Sequence, residues 1–339
     1  MYKKTSLYRC LPIIAGFLLY NGTINAQPRK FHFSQQKMGS PFNLVLVAED
    51  SVFAERIAGK CFRLVDELNA LFSDYDSSSQ LTHVNGTAGL NTLVSVSKPL
   101  WDIIVRSQIA YRESHGAFDI TVGALSRIWR EARKQKLFPA DSIISRSLRQ
   151  SGFAKLVLDT AYHALHLPAG MQLDLGGIAK GYAAQAVIDY LRQQGIKSAL
   201  ADAGGDMAMS DPPPGAKGWT IGINVPETTD ELLNKRLLLQ NMAVATSGDA
   251  YQYMEHAGKK YSHIIDPRTG YGITSQRNVT VIAKDGATAD WLATACSILP
   301  IDQAKALAAH EHAEVLIAEM VNNRIVFHMT ERFDSFWKK

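Results

Sequence analysis

The stretch LDLGGIAKGYAAQAVIDYLRQQG, residues 173–195, places an aspartate, two adjacent glycines and a lysine directly ahead of an amphipathic helix. Adjacent glycines let backbone N–H groups approach an anion, and a helix N-terminus favours negative charge. Lys180, one turn in, can add a cationic contact. The spacing matches neither the P-loop nor the dinucleotide G-x-G-x-x-G fingerprint. Structural packing explains the same residues: Asp174 can satisfy turn amides and Lys180 can be a solvated helix residue. On the local pattern both readings stand.

A second constellation lies in NVTVIAKDGATADWLATACSIL, where Asp290 and Thr294 are four residues apart on an expected helix. That spacing sets a carboxylate and a hydroxyl on one face, with Cβ atoms about 5–6 Å apart. One carboxylate with neutral oxygens, water and substrate phosphate suits Mg²⁺. The competing reading is an aspartate stabilised by the helix dipole, with Thr294 bonding a helical carbonyl. A third is YSHIIDPRTG (261–270). Here His263 stands at a strand end, where it can accept a proton or serve structure alone. Asp266, Pro267, Thr269 and Gly270 supply turn chemistry.

Elements must carry these residues. FNLVLVAED (42–50) alternates as a strand, and SVFAERIAGKCFRLVDELNALFS (51–73) has helical spacing with Ser51 as an N-cap. LWDIIVRSQIAYRESHG (100–116) reads as a second helix, and a third at about 178–194 ends at Gly195. WTIGINV, MAVATSG, YSHIIDP and NVTVIA read as short strands, and EVLIAEM with NRIVFHM as a closing hairpin. Strands clustered between helices give an α+β protein with substantial antiparallel sheet.

The first 26 of 339 residues read as a secretory signal peptide. Lys3, Lys4 and Arg9 precede the apolar run LPIIAGFLLY, and Ala26 marks the cut. A retained N-terminal anchor is the alternative. Cys10 lies before the apolar run, so lipid anchoring is not expected. The expected product is residues 27–339, exported to a periplasmic or extracytoplasmic setting and soluble. Removing the leader takes away three of 36 basic residues and leaves 33 against 32 acidic, a formal charge of +1. That near-neutral balance carries no electrostatic footprint for nucleic acid. Cys61 and Cys296 fall at apolar helix positions and read as small hydrophobes. Without a CxxC they make no structural zinc site. No second apolar run reaches the ~20 residues of a transmembrane helix.

Taken in order, FSDYDSSSQLTHVN, GAFDITVGAL, the 173–195 stretch, ADAGGD, TSGD, YSHIIDPRTG and the Asp290/Thr294 helix resemble the ApbE family, the FAD:protein FMN transferases. The resemblance runs from KMGSPF near residue 38 through the Asp290 helix and beyond. It implies a T-fold-like α+β architecture with antiparallel sheets packed against helices, and FAD and Mg²⁺ as substrate and metal. It implies cleavage of the FAD pyrophosphate, release of AMP and attachment of FMN to a Thr or Ser hydroxyl. The implied acceptors are proteins such as subunits of sodium-pumping NADH:quinone reductase and Rnf complexes.

Carried across by position, the resemblance makes Met38, Tyr75, Ala117, Phe118, Asp119, Asp174, Lys180 and Ile264 cofactor contacts. Tyr75 is expected near the isoalloxazine. Gly177, Asp290 and Thr294 become metal ligands. Some relatives carry a further aspartate just before that threonine; here the residue is Ala293. His263 is the candidate general base or acceptor-orienting group, with Asp266 as a group that orients it. Two other readings use the same residues: an FAD pyrophosphatase, in which water replaces the acceptor, and a non-catalytic flavin-binding protein.

Overall fold

The computed structural model describes residues 27–224, 232–248, 253–322 and 324–339. The expected leader 1–26 and Asp249 of the TSGD motif lie outside the described residues. The framework is one eight-stranded antiparallel sheet. Its strands are β1 (Arg29–Lys37), β2 (Ser40–Ala48), β3 (Ala199–Ala203), β4 (Met207–Met209), β5 (Ala243–Gly248), β6 (Arg277–Ala283), β7 (Glu314–Val321) and β8 (Arg324–Met329). They neighbour one another in chain order, so the sheet is a meander whose connections carry the remaining elements.

Among the described residues eight helices interrupt it: α1 (Ser51–Phe72), α2 (Gln80–Asn85), α3 (Lys98–Glu113), α4 (Gly123–Gln135), α5 (Asp141–Gln150), α6 (Ala179–Gln193), α7 (Gly286–Ile298) and α8 (Ile301–His310). Strand alternation decides what each face meets. Leu44, Leu46, Val279 and Val281 pack with α1, α6 and α7 in the main core. Leu200, Val244, Ile282 and Leu316 point the other way, onto the hairpin of Trp219–Asn224 and Leu232–Leu239 and onto Phe333. A third cluster joins Leu125, Trp129 and Ile144 of α4 and α5 to Met254 and Ile265. This is the α+β architecture read from the sequence, with antiparallel sheet packed against helices.

Three details differ from the sequence reading. Asp50, not Ser51, caps α1; its carboxylate accepts from Val52 N at 3.2 Å and Phe53 N at 2.8 Å. A charged acceptor at that position also complements the helix dipole. The helix read as running to Gly116 stops at Glu113, and Gly116 takes φ +79° beyond it. The edge strand β1 has no signal in the sequence, because RKFHFSQQK is mostly polar and, in the fold, mostly exposed. Pairing Lys37 with Ser40 leaves Met38 (φ 49°) and Gly39 (φ 75°) as a two-residue turn, both left-handed, the turn type that suits strand twist.

Other expectations hold. Gly195 follows α6 at φ +82°. Cys61 and Cys296 are buried and unbridged, and burial pushes each thiol up to about 12. Among the described residues no helix is long and apolar enough to cross a membrane.

Candidate active site

The segment from Asp174 to Gly181 lies between two clusters of polar side chains and touches both. At its C-terminal end α6 meets α7 backbone to backbone. A Cβ on Gly181 would lie 2.1 Å from the Gly286 carbonyl oxygen, and one on Gly286 would lie 2.1 Å from that of Gly181. Only glycine permits this approach, which lets the Gly181 N–H donate to Asp290 Oδ2 at 2.9 Å. Asp290 is buried, and desolvation pushes its pKa up to about 6 against the opposing pull of that hydrogen bond and of Lys180.

Asp206 stands beside it. It comes from the turn between β3 and β4, where Gly204 (φ +71°) and Gly205 (φ +105°) complete the ADAGGD motif. Burial first, then the neighbouring Asp290, holds the Asp206 carboxyl well above the usual carboxylate range. Lys180 Nζ lies 3.8 Å from Asp206 Oδ2 and partly offsets this. The same end of the sheet holds the Met38–Gly39 turn: a Cβ on Gly204 would lie 2.5 Å from Ser40 Oγ.

One helical turn beyond Asp290, Thr294 faces the Gly177 backbone. A Cβ on Gly177 would lie 2.9 Å from Thr294 Oγ1 and 3.2 Å from a ring carbon of Phe118. The sequence expectation that Gly177, Asp290 and Thr294 serve one site thus has a geometric basis: the 174–181 segment meets both α7 side chains. Ala293, by contrast, is buried in the main core. The second carboxylate beside Asp290 comes from a different element, Asp206.

The N-terminal end of the segment forms the other cluster. Residues 120–123 run parallel to 172–174, zipped by Asp174 N–H to Ile120 O at 2.7 Å and Gly123 N–H to Gln172 O at 2.9 Å. This pairing docks the GAFDITVG segment and the start of α4 against the glycine-rich turn. Asp174 Oδ1 accepts from Gly176 N–H at 2.8 Å. Its carboxylate also lies 3.5 Å from Arg130 of α4. Arg130 bonds Asp74 as well, and its guanidinium carbon sits 4.3 Å from the centroid of the Tyr75 ring. The Asp74–Tyr75 loop is held by its own side chains: Ser73 Oγ accepts from Tyr75 and Asp76 N–H, and Ser79 caps α2.

The remaining expected contacts divide. Ala117, Phe118 and Asp119 are all buried. Asp119 turns inward: Oδ1 accepts from Thr121 N–H at 2.8 Å and Thr121 Oγ1 at 2.7 Å, and Oδ2 from Phe153 N–H at 3.1 Å. Its pKa is raised by desolvation and pulled back by these donors. His263 and Ile264 ride on the loop after the Tyr253–His256/Lys259–Ser262 hairpin. That loop is closed by Ser262 N–H to Ile273 O and Ile273 N–H to Ile264 O, both 2.9 Å. It packs on α4 through Trp129, whose Nε1 donates to Gly270 O at 2.8 Å. One helix, α4, therefore presents Trp129 to the His263 loop and Arg130 to the Tyr75 loop. Asp266, the residue considered for orienting His263, pairs with Arg268. Arg268 grips both its oxygens at 2.8 Å.

Three residues of these clusters escaped the sequence reading. Asp206 lay within a motif that was noted but given no role. Asp74 lies in the polar stretch before α2 and Arg130 on α4, and neither belongs to a spacing that signals chemistry.

The donor set fits a hard divalent cation. Two buried carboxylates stand side by side, with a hydroxyl and a backbone turn adjacent and one lysine in partial compensation; oxygen ligands of this kind suit Mg²⁺.

The chain matches the ApbE family model over residues 38–317. It is 33% identical over 264 residues to the FAD:protein FMN transferase of Klebsiella pneumoniae, covering 77% of this chain and 80% of that one. The fold is similar to the flavin transferase ApbE of Vibrio cholerae, with a TM-score of 0.81, 27% identity and coverage of 91% and 99%. It is also similar to the ApbE protein of Thermotoga maritima, with a TM-score of 0.83, 27% identity and coverage of 92% and 100%. With more than half of the chain matched by the family model and its architecture shared along nearly the whole length of solved members, this chain belongs to the ApbE family.

Proposed function

We propose that this enzyme transfers FMN from FAD to a Thr or Ser hydroxyl of an acceptor protein, with release of AMP. The observation that carries the reading is the 174–181 segment. It joins a planar aromatic side chain, reached through Asp174 and Arg130, to a buried carboxylate centre reached through Gly177 and Gly181. A dinucleotide has that polarity: a flat ring at one end and a pyrophosphate further along.

Asp290, Thr294 and the Gly177 backbone would hold Mg²⁺, with Asp206 adding negative charge beside them. When bound, the ion neutralises pyrophosphate charge and polarises phosphorus. The chain's own residues do the rest. Lys180 lies where a cation can take an anionic oxygen, since its 3.8 Å pairing with Asp206 is long. Phe118, packed on Gly177, excludes water from one side of the turn. His263 takes the acceptor hydroxyl's proton; a P–O bond forms to the FMN-side phosphorus, and the P–O bond to AMP breaks, AMP leaving with the electron pair. The acceptor belongs to the class of exported or membrane-complex subunits carrying a Thr/Ser flavinylation motif, such as those of Rnf or sodium-pumping NADH:quinone reductase. The enzyme works outside the cytoplasm after loss of residues 1–26, a placement supported by the basic head and apolar run.

The test is to incubate the protein with FAD, Mg²⁺ and a Thr-containing acceptor. In-gel flavin fluorescence and an acceptor mass increase of one FMN are expected together, with one AMP released per acceptor modified. Free FMN and AMP without a modified acceptor would make the chain a pyrophosphatase instead. Intact FAD after long exposure would make it a binding protein.

A further inference from the structure

Tyr75 is 80% exposed, yet one face of its ring is covered. The covering group is Arg130, 4.3 Å from the ring centroid. Arg130 is itself pinned from two sides, by Asp74 and by Asp174 at 3.5 Å. Its charge is stabilised by both carboxylates against the cost of burial. Asp174 is in turn tied to the Gly176 amide and, through its own N–H, to Ile120. The result is a stack of fixed order: rigid 172–177 segment, Asp174, Arg130, Tyr75, open solvent.

We propose that Arg130 is the positioning residue of the flavin end. It clamps the inner face of Tyr75 and leaves the outer face as a preformed surface on which an isoalloxazine ring stacks. This role rests on the FAD reading above and deepens it. A tyrosine on a serine-rich turn with no such support would lose rotamer freedom on binding a ring. Here that cost is met during folding, because cation–π contact and the paired carboxylates hold the ring beforehand. The planar, forked guanidinium is needed for this. It can lie flat on the ring while reaching two carboxylates, which a lysine ammonium cannot do. Asp174 then acts through Arg130 and through the Gly176 amide, as an anchor.

The experiment titrates FAD, FMN and ADP, with Mg²⁺ present, into wild type, Arg130→Ala, Arg130→Lys, Tyr75→Ala and the Arg130→Ala/Tyr75→Ala double variant. Quenching of flavin fluorescence reports FAD and FMN, and displacement of bound FAD reports ADP; thermal melts check folding. Tyr75→Ala and Arg130→Ala are each expected to weaken FAD and FMN by roughly three- to tenfold, the scale of one aromatic stacking contact, with ADP unchanged. The double variant is expected to be no weaker than Tyr75→Ala. Arg130→Lys keeps the charge and is expected to weaken FAD and FMN as Arg130→Ala does; it decides the matter if the alanine variant fails to fold. The role is overturned if Tyr75→Ala weakens FAD while both Arg130 variants bind normally. It is also overturned if the two single effects multiply in the double variant, or if ADP weakens equally. Wild type that binds no FAD would instead sink the FAD reading itself, and this role with it.

Discussion

The Gly181 N–H donates to the Asp290 carboxylate at 2.9 Å, and a Cβ on Gly181 would lie 2.7 Å from Asp290 Cβ. One glycine thus sets both the closeness of α6 to α7 and the orientation of the carboxylate that α7 brings to the site. Gly181→Ala is expected to cost about 1–3 kcal/mol through overpacking, because the backbone carbonyl of Gly286, 2.1 Å away, cannot rotate aside. Gly59 makes the contrast. It lies inside α1 with its nearest neighbour, an Arg63 side-chain atom, at 3.8 Å. There alanine is expected to stabilise by about 0.5–1 kcal/mol, the usual helix-interior gain. Chemical denaturation of both variants checks the pair; a Gly181→Ala protein as stable as wild type would show that the helices slide freely.

Asp290→Ala and Thr294→Val probe the metal centre. Wild type is expected to gain thermal stability on saturation with Mg²⁺ and FAD, by about 2.7 kcal/mol when ligand is at a hundredfold its dissociation constant. Asp290→Ala is expected to lose that gain and the transfer activity, and Thr294→Val to weaken it. An Asp290→Ala protein with normal metal-dependent transfer would remove that carboxylate from the centre.

The raised pKa of Asp290, about 6, predicts opposite pH trends with and without metal. The folded state holds this proton more tightly than the unfolded chain. In chelated protein the group therefore adds stability at low pH and loses it as pH rises through about 6. Metal binding needs the ionised form, so the Mg²⁺-induced rise in melting temperature is expected to be larger at pH 7.5 than at pH 5. Asp290→Asn should reduce both trends, the neighbouring Asp206 carboxyl, also held above the usual range, keeping part of the metal-free one. Equal Mg²⁺ shifts at the two pH values would mean that the metal does not use this carboxylate.

His263→Ala separates chemistry from binding. Loss of a general base is expected to reduce transfer by about 10²- to 10⁴-fold while FAD affinity stays within error. Asp266→Asn, which weakens the two-pronged Arg268 pair, tests the orienting role: transfer should fall with FAD affinity kept if Asp266 orients His263, and an unchanged rate would remove that role. Preserved transfer in His263→Ala would take the imidazole out of the reaction.

Much of this molecule is written locally. The alternation in FNLVLVA and NVTVIA makes strands with two different faces, and the spacing of Asp290 and Thr294 puts them on one side of a helix. Gly195 ends α6, and the adjacent glycines at 176 and 177 leave no side chain between the turn and Thr294. These follow from backbone period and the absence of a Cβ, which depend on a few neighbouring residues.

Other relationships could be settled only by how distant segments pack. Asp206 stands beside Asp290 because the β3–β4 turn and α7 converge at one end of the sheet. Arg130 reaches Tyr75 and Asp174 because residues 120–123 pair with 172–174 and so aim α4. Asp119, whose motif suggested a cofactor contact, bonds through its carboxylate to Thr121 and to the distant Phe153. No local spacing encodes such contacts. They arise from strand register and helix docking, which set distances through space that the chain's own sequence separation leaves open.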